Sequence, residues 1–140
     1  SKGVMLSHDN ILWNVMGLGA AGKHAGDAPG LHVAPFFHIA GIGTIFQFAY
    51  RGGTQVVLGA FDAGDALRLI EEEQIGDIFV VPTMLRWLLD HPDRTKRDLS
   101  SLRTIRYGAA PIDMVLLEQA IAAVPTTGFV HLYGQTEFAP

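Results

Sequence analysis

Apolar positions along the chain switch repeatedly between a helical and an extended period. Ile11, Leu12, Val15, Met16 and Leu18 form a helical stripe, which predicts a helix over His8–Ala21 with Ser7 as its N-cap and Gly22 as its stop. Lys23–Gly30, polar with two glycines and a proline, predicts a loop. Leu31–Ala34 is a short apolar run, and His38–Tyr50 an apolar helix closed by Arg51-Gly52-Gly53. Thr54–Leu58 is β-branched and extended. Asp62 then caps a helix over Ala63–Gln74, with Ala66, Leu67, Leu69 and Ile70 inward and Glu71, Glu72 and Glu73 in water. Asp77–Val81 predicts a buried strand, Pro82 the first turn of the next helix, and His91–Ser101 a solvated, charge-rich connection. Leu102–Tyr107 predicts a strand, placed nearer an edge by Arg103 and Arg106. Gly108–Pro111 turns into a helix over Ile112–Val124, and Phe129–Leu132 is the last strand.

This alternation, at a spacing of about 25 residues, matches strand-plus-crossover units. The predicted class is α/β: a mainly parallel five-stranded sheet with helices on both faces, formed by residues 1–140 as a single unit. The units share a pattern and no residues, so they are not a sequence repeat.

Composition narrows the function. The 140 residues are 49% hydrophobic, too apolar for disorder, and suffice for one domain with its own core. A formal net charge of −4 leaves no electrostatic footprint for nucleic acid. The absence of cysteine removes disulfides, thiolate metal sites and a cysteine nucleophile. The longest apolar stretch, Ile39–Tyr50, is interrupted by Gln47 and reaches about half the length of a bilayer span, so no integral membrane segment is expected. Ser1-Lys2-Gly3-Val4 has no signal-peptide build, and the cytoplasm is the expected compartment. It also lacks Met and opens within a Gly-containing turn, so the chain is expected to be a piece of a longer protein.

In a parallel sheet the residues just past each strand are neighbours on one edge, where α/β sheets bind ligands. Pro35–His38, Gly59–Asp62, Pro82-Thr83, Gly108–Pro111 and Tyr133–Glu137 are those segments. They predict a concave surface with apolar walls and few polar groups, as a small-molecule pocket requires.

Four of the chain's segments carry a family resemblance. Ser1-Lys2-Gly3-Val4, followed by Ser7-His8, resembles the tail of the phosphate loop of the adenylate-forming superfamily (acyl-CoA synthetases, adenylation domains of peptide synthetases, beetle luciferases), with Ser1 where the family usually has Pro. Pro35-Phe36-Phe37-His38-Ile39-Ala40-Gly41 resembles its aromatic-His segment, Gly108-Ala109-Ala110-Pro111 its adenine loop, and Tyr133-Gly134-Gln135-Thr136-Glu137 its Tyr-Gly-x-Thr-Glu motif. The segments occur in the family's order and cover essentially the whole chain.

The resemblance implies one subdomain of an acyl-CoA synthetase-like N-terminal domain. It further implies an acyl- or aryl-CoA ligase that activates a carboxylic acid with ATP and Mg²⁺ as acyl-AMP and passes it to coenzyme A. Lys2 and Gly3 would approach phosphates, Gly108, Ala109, Ala110 and Pro111 would lie against the adenine with Tyr133 on its other face, and Gly134 and Gln135 would complete the nucleotide loop. Thr136 would bond the α-phosphate and Glu137 would hold Mg²⁺. The acyl pocket would be walled by Phe37, His38, Val81, Pro82, Thr83, Gly108 and Ala109. A lone histidine at such a place is more often a hydrogen-bonded core residue; the resemblance instead makes His38 a gate or carboxylate neighbour at the reaction centre, and not a general base.

Phe61-Asp62 looks like a substrate-binding pair of amino-acid-adenylating relatives, but Asp62 precedes a clear helix and reads as its N-cap. No Asp lies around His38 to balance a substrate ammonium, which favours a plain carboxylic acid. The 140 residues alone are expected to be inactive. Two other readings stay open: an adenylating enzyme with a carrier-protein or other acceptor, and a non-catalytic α/β nucleotide- or protein-binding module. Homo-oligomerisation is also left open.

Overall fold

The computed structural model describes residues 3–21 and 27–138. Its elements in chain order are α1 (His8–Ala21), β1 (Gly30–His32), α2 (Ile39–Arg51), β2 (Gln55–Val57), α3 (Ala63–Glu72), β3 (Asp77–Val80), α4 (Pro82–Asp90), β4 (Thr104–Gly108), α5 (Met114–Ala123) and β5 (Gly128–Leu132), followed by a 3-10 turn, Thr136–Phe138. The strands form one sheet in the order β2-β1-β3-β4-β5, every pair parallel. The α/β class therefore holds. β4 lies inside the sheet, between β3 and β5, and not near an edge as Arg103 and Arg106 had suggested.

The chain leaves β1 outward to β2, then returns past β1 to β3 and proceeds the other way. Neighbouring β1 and β3 thus mark a topological switch point. Right-handed crossovers in opposite directions put helices on opposite faces. Accordingly α1 packs on α2, while α3, α4 and α5 pack on one another.

Register divides the side chains between these faces. Ile78 pairs with Ile105 and Val80 with Tyr107; with Leu31 they meet Leu67, Ile70, Leu85, Leu88 and Leu116 in an apolar core under α3–α5. Asp77 pairs with Thr104 and Phe79 with Arg106, so these side chains point the other way, toward α2. There the structure buries polar groups. Arg106 donates from Nη2 to Asp77 Oδ2 at 2.7 Å and from Nη1 to Gln47 Oε1. His32 Nδ1 lies 3.1 Å from Thr44 Oγ1.

Local chemistry accounts for the ends of the elements. Ser7 Oγ accepts from Asn10 N at 3.1 Å, Asp62 Oδ1 from Asp65 N at 2.9 Å, and Asp113 Oδ1 from Val115 N at 3.2 Å. The Asp113 cap starts α5 two residues later than expected. Gly22 lies outside the described residues. Of the apolar stripe on α1, Val15 is buried, while Leu12 and Met16 are exposed together with Trp13. No helix among the described residues is long and apolar enough to cross a membrane.

Candidate active site

Beside the switch point, at the C-terminal edge of the sheet, a cleft of about 120 Å³ opens between α1, α2 and the ends of β3–β5. Its described lining is mostly apolar: Leu18, Ile39, Ala40, Gly43, Phe79, Ala109 and Leu132, with Asn14, His38, Thr44, Gln47, Tyr133 and Gly134 supplying the remainder.

The segment after β1 is shaped by Pro35. Its carbonyl accepts from His38 N at 3.1 Å, closing a turn that leaves Phe36 and Phe37 in solvent. Gly41 permits this fold-back, because a Cβ there would lie 2.2 Å from Pro35 O. The turn delivers His38 as the N-cap of α2, where its Nδ1 accepts from Ala40 N at 3.1 Å. An imidazole nitrogen that accepts carries no proton, so the neutral ring is protonated at Nε2. His38 thus brings one N–H donor to the cleft and is built into the backbone through its other nitrogen.

Opposite it, β4 ends at Gly108, which is buried with no room for a side chain: a Cβ would stand 2.2 Å from Leu132 O. Ala109 follows with φ 64, a left-handed conformation that disfavours a non-glycine residue by roughly 1–2 kcal/mol. This reversal turns Ala109, Ala110 and Pro111 outward as an exposed rim. Beyond β5, Tyr133 is 89% exposed, so its aromatic face is free to stack. Thr136 is half-buried and Glu137 exposed on the terminal 3-10 turn.

The structure therefore brings His38, Ala109, Tyr133 and Gly134 to one cleft, with Gly108 directly behind Ala109. Phe37 is 94% exposed and not among the lining residues. Val81, Pro82 and Thr83 do not reach the cleft either: Val81 caps α4 and Pro82 opens it. Phe79, on the face turned toward α2, supplies the β3 wall instead. Ala110, Pro111, Gln135, Thr136 and Glu137 lie outside the lining. Gly3 is exposed with open space around it, and Lys2 lies outside the described residues.

Asn14, Thr44, Gln47 and Phe79 were not among the residues expected here. Gln47 had one visible signal, an amide interrupting an otherwise apolar helix. For magnesium, Glu137 would be the protein ligand. Among the described residues no group of three His, Cys, Asp or Glu could hold a metal. A lone exposed carboxylate fits Mg²⁺, which commonly takes one or two carboxylates together with substrate phosphates.

The family model for "AMP-binding enzyme" matches residues 1–140. Among curated proteins, the chain is 38% identical over 144 residues to a feruloyl-CoA synthase of Amycolatopsis sp, covering 99% of this chain and 28% of the relative. It is 44% identical over 107 residues to the medium/long-chain-fatty-acid–CoA ligase FadD8 of Mycobacterium tuberculosis, covering 76% of this chain and 18% of that protein. Among solved structures, it superposes on O-succinylbenzoate coenzyme A synthetase (MenE) from Bacillus subtilis, in complex with ATP and magnesium ion, with a TM-score of 0.84 at 28% identity, over 99% of this chain and 28% of that one. The chain thus spans roughly a quarter of the length of these relatives. Matched from end to end, it belongs to the AMP-binding enzyme family.

Proposed function

We propose that the protein carrying this chain is an ATP-dependent acyl- or aryl-CoA ligase, and that the cleft receives the carboxylic acid. The observation that carries this reading is the convergence of His38, Ala109, Tyr133 and Gly134 on one mostly apolar cleft beside the switch point. In the first step a carboxylate oxygen attacks the α-phosphorus of ATP and pyrophosphate leaves. In the second, the coenzyme A thiol attacks the acyl carbon and AMP leaves.

The residues' roles are those of positioning and charge balance, on which phosphoryl transfer depends. The His38 Nε2–H donates to the substrate carboxylate at the mouth, with the ring held by its cap bond. The small rim Gly108–Pro111 and the open face of Tyr133 take the adenine between them. Thr136 donates its hydroxyl to an α-phosphate oxygen. Glu137 holds Mg²⁺, which when bound neutralises phosphate charge. Among the described residues the lining includes no carboxylate to pair a substrate ammonium, which supports a plain carboxylic acid over an amino acid. The 140 residues alone are expected not to turn over.

Carboxylate-dependent ATP–pyrophosphate exchange, run with a panel of fatty and aromatic acids, tests the reading. Thr136→Ala and Glu137→Ala are each expected to lower exchange by roughly 10²–10³-fold, the usual effect of removing one preorganised contact to developing charge. Near-wild-type exchange in both variants would overturn the assignment.

A further inference from the structure

Gln47 lines the cleft. It lies nine residues beyond His38 on α2, about 13 Å along the helix axis at 1.5 Å per residue. Past it lies a second, separate groove lined by Val15, Met16, Gly19, Tyr50 and Arg51, and Gln47 is the residue common to the linings of both. It therefore stands as a partition between the acyl cleft and the space behind it.

Its amide is not free to turn. Arg106 Nη1 donates to Gln47 Oε1, and Arg106 is itself held by Asp77 at 2.7 Å. A guanidinium has only donors, so the atom facing it must be the amide oxygen. The NH2 half is left with no hydrogen-bond partner among the described residues. Leu18, Ile39, Phe79 and Leu132 line the cleft with it, and Asn14 and Thr44 are polar residues of the same lining. A fixed donor in a mostly apolar cleft rewards an acceptor placed beside it.

Building on the ligase reading above, we propose that Gln47 determines specificity, selecting apolar carboxylic acids that carry an oxygen acceptor at the end far from the carboxylate. A purely aliphatic or aryl tail of the same length leaves the donor unmet.

Matched acids differing by one oxygen for one methylene test this: 4-methoxycinnamate against 4-ethylcinnamate, and 7-methoxyheptanoate against nonanoate, each in ATP–pyrophosphate exchange read as kcat/KM. In at least one pair, wild type is expected to favour the oxygen member roughly three- to tenfold, the span of one net hydrogen bond. Gln47→Met, which keeps the wall and removes the donor, should bring that ratio to near one while exchange with the methylene member persists. A loss of folding in that variant does not shield the proposal, since the wild-type ratio stands by itself. Equal wild-type rates within both pairs, or an unchanged ratio in Gln47→Met, would overturn the role of Gln47 and leave the ligase reading standing. No exchange with any acid would overturn both.

Discussion

Arg106 and His32 are polar residues buried in strands, and each is made tolerable by a specific partner. The Arg106–Asp77 pair is sealed between β3 and β4, with side chains 6% and 3% exposed. Such pairs contribute little net stability against an apolar replacement, yet they fix geometry; here that geometry is the orientation of Gln47. His32 sits edge-on to Phe48, ring centroids 5.4 Å apart. Thr44 Oγ1 donates its hydrogen to Gly41 O at 2.8 Å, so its oxygen is the acceptor for His32 Nδ1–H. His32 Nε2 is then the unprotonated nitrogen, buried with no hydrogen-bond partner among the described residues. Burial pushes the His32 pKa below the usual 6.5, with Gln55 opposing in smaller measure. The unfolded state therefore binds a proton more readily than the folded state. That difference leaves stability undiminished above pH 6.5 and erodes it as pH falls below that value. Glu71, Asp93 and Asp98 also have lowered pKa values, but from ordinary values of 4.5 and 3.8, so their losses fall at more acid pH. Urea denaturation at pH 7.5 and 5.5 should show a loss of stability in wild type that is absent in His32→Asn. An equal loss in the variant would assign the effect elsewhere.

Among the elements, what the sequence made legible was whatever local chemistry decides. The bounds of α1, the caps at Ser7 and Asp62 and the proline start of α4 follow from residue type alone. The order of the strands does not, and that is why the charge of Arg106 points to an edge that the sheet does not have there. Its partners Asp77 and Gln47 lie 29 and 59 residues away, and only the register joins them. The same limit hid Phe79 as a lining residue of the cleft: alternation along β3 assigns two faces without saying which of them the next helix covers. One substitution made in two helices separates local propensity from such packing. In isolation Gly→Ala favours a helix by up to about 1 kcal/mol. Gly17 in α1 has nothing within 4 Å of the place an alanine methyl would take, so Gly17→Ala should stabilise by roughly 0.5–1 kcal/mol. Gly41 in α2 would push its methyl to 2.2 Å from Pro35 O and 2.9 Å from Ala34 O. Gly41→Ala should therefore destabilise by about 1–3 kcal/mol and displace His38 from the cleft. Denaturation midpoints of opposite sign are the expected result; a stabilised Gly41→Ala would show that the Pro35 turn is not braced on α2.

Across the whole molecule, the two faces of the sheet differ in kind, and this sets where it can move. Under α3–α5 the packing is continuous and apolar, with Leu67, Ile70, Ile78, Val80 and Leu85 almost wholly buried. On the other face α2 rests on a polar layer, and α1 lies outside α2. In α1 Val15 is the one fully buried side chain among the described residues, while Trp13 is 71% exposed. An outer helix with so little buried surface opens at a lower free energy than the central strands. Yet α1 also contributes Asn14 and Leu18 to the cleft. A ligand that fills the cleft adds contacts to the least stable layer, so its binding energy should appear there first. Amide hydrogen exchange should find β3 and β4 slowest and α1 fast in the free protein. A non-hydrolysable acyl-adenylate mimic should slow α1 while changing α3–α5 little. Slow exchange in α1 without ligand, or protection confined to α3–α5 with it, would mean that the cleft is not closed by α1 and that the site lies on the other face of the sheet.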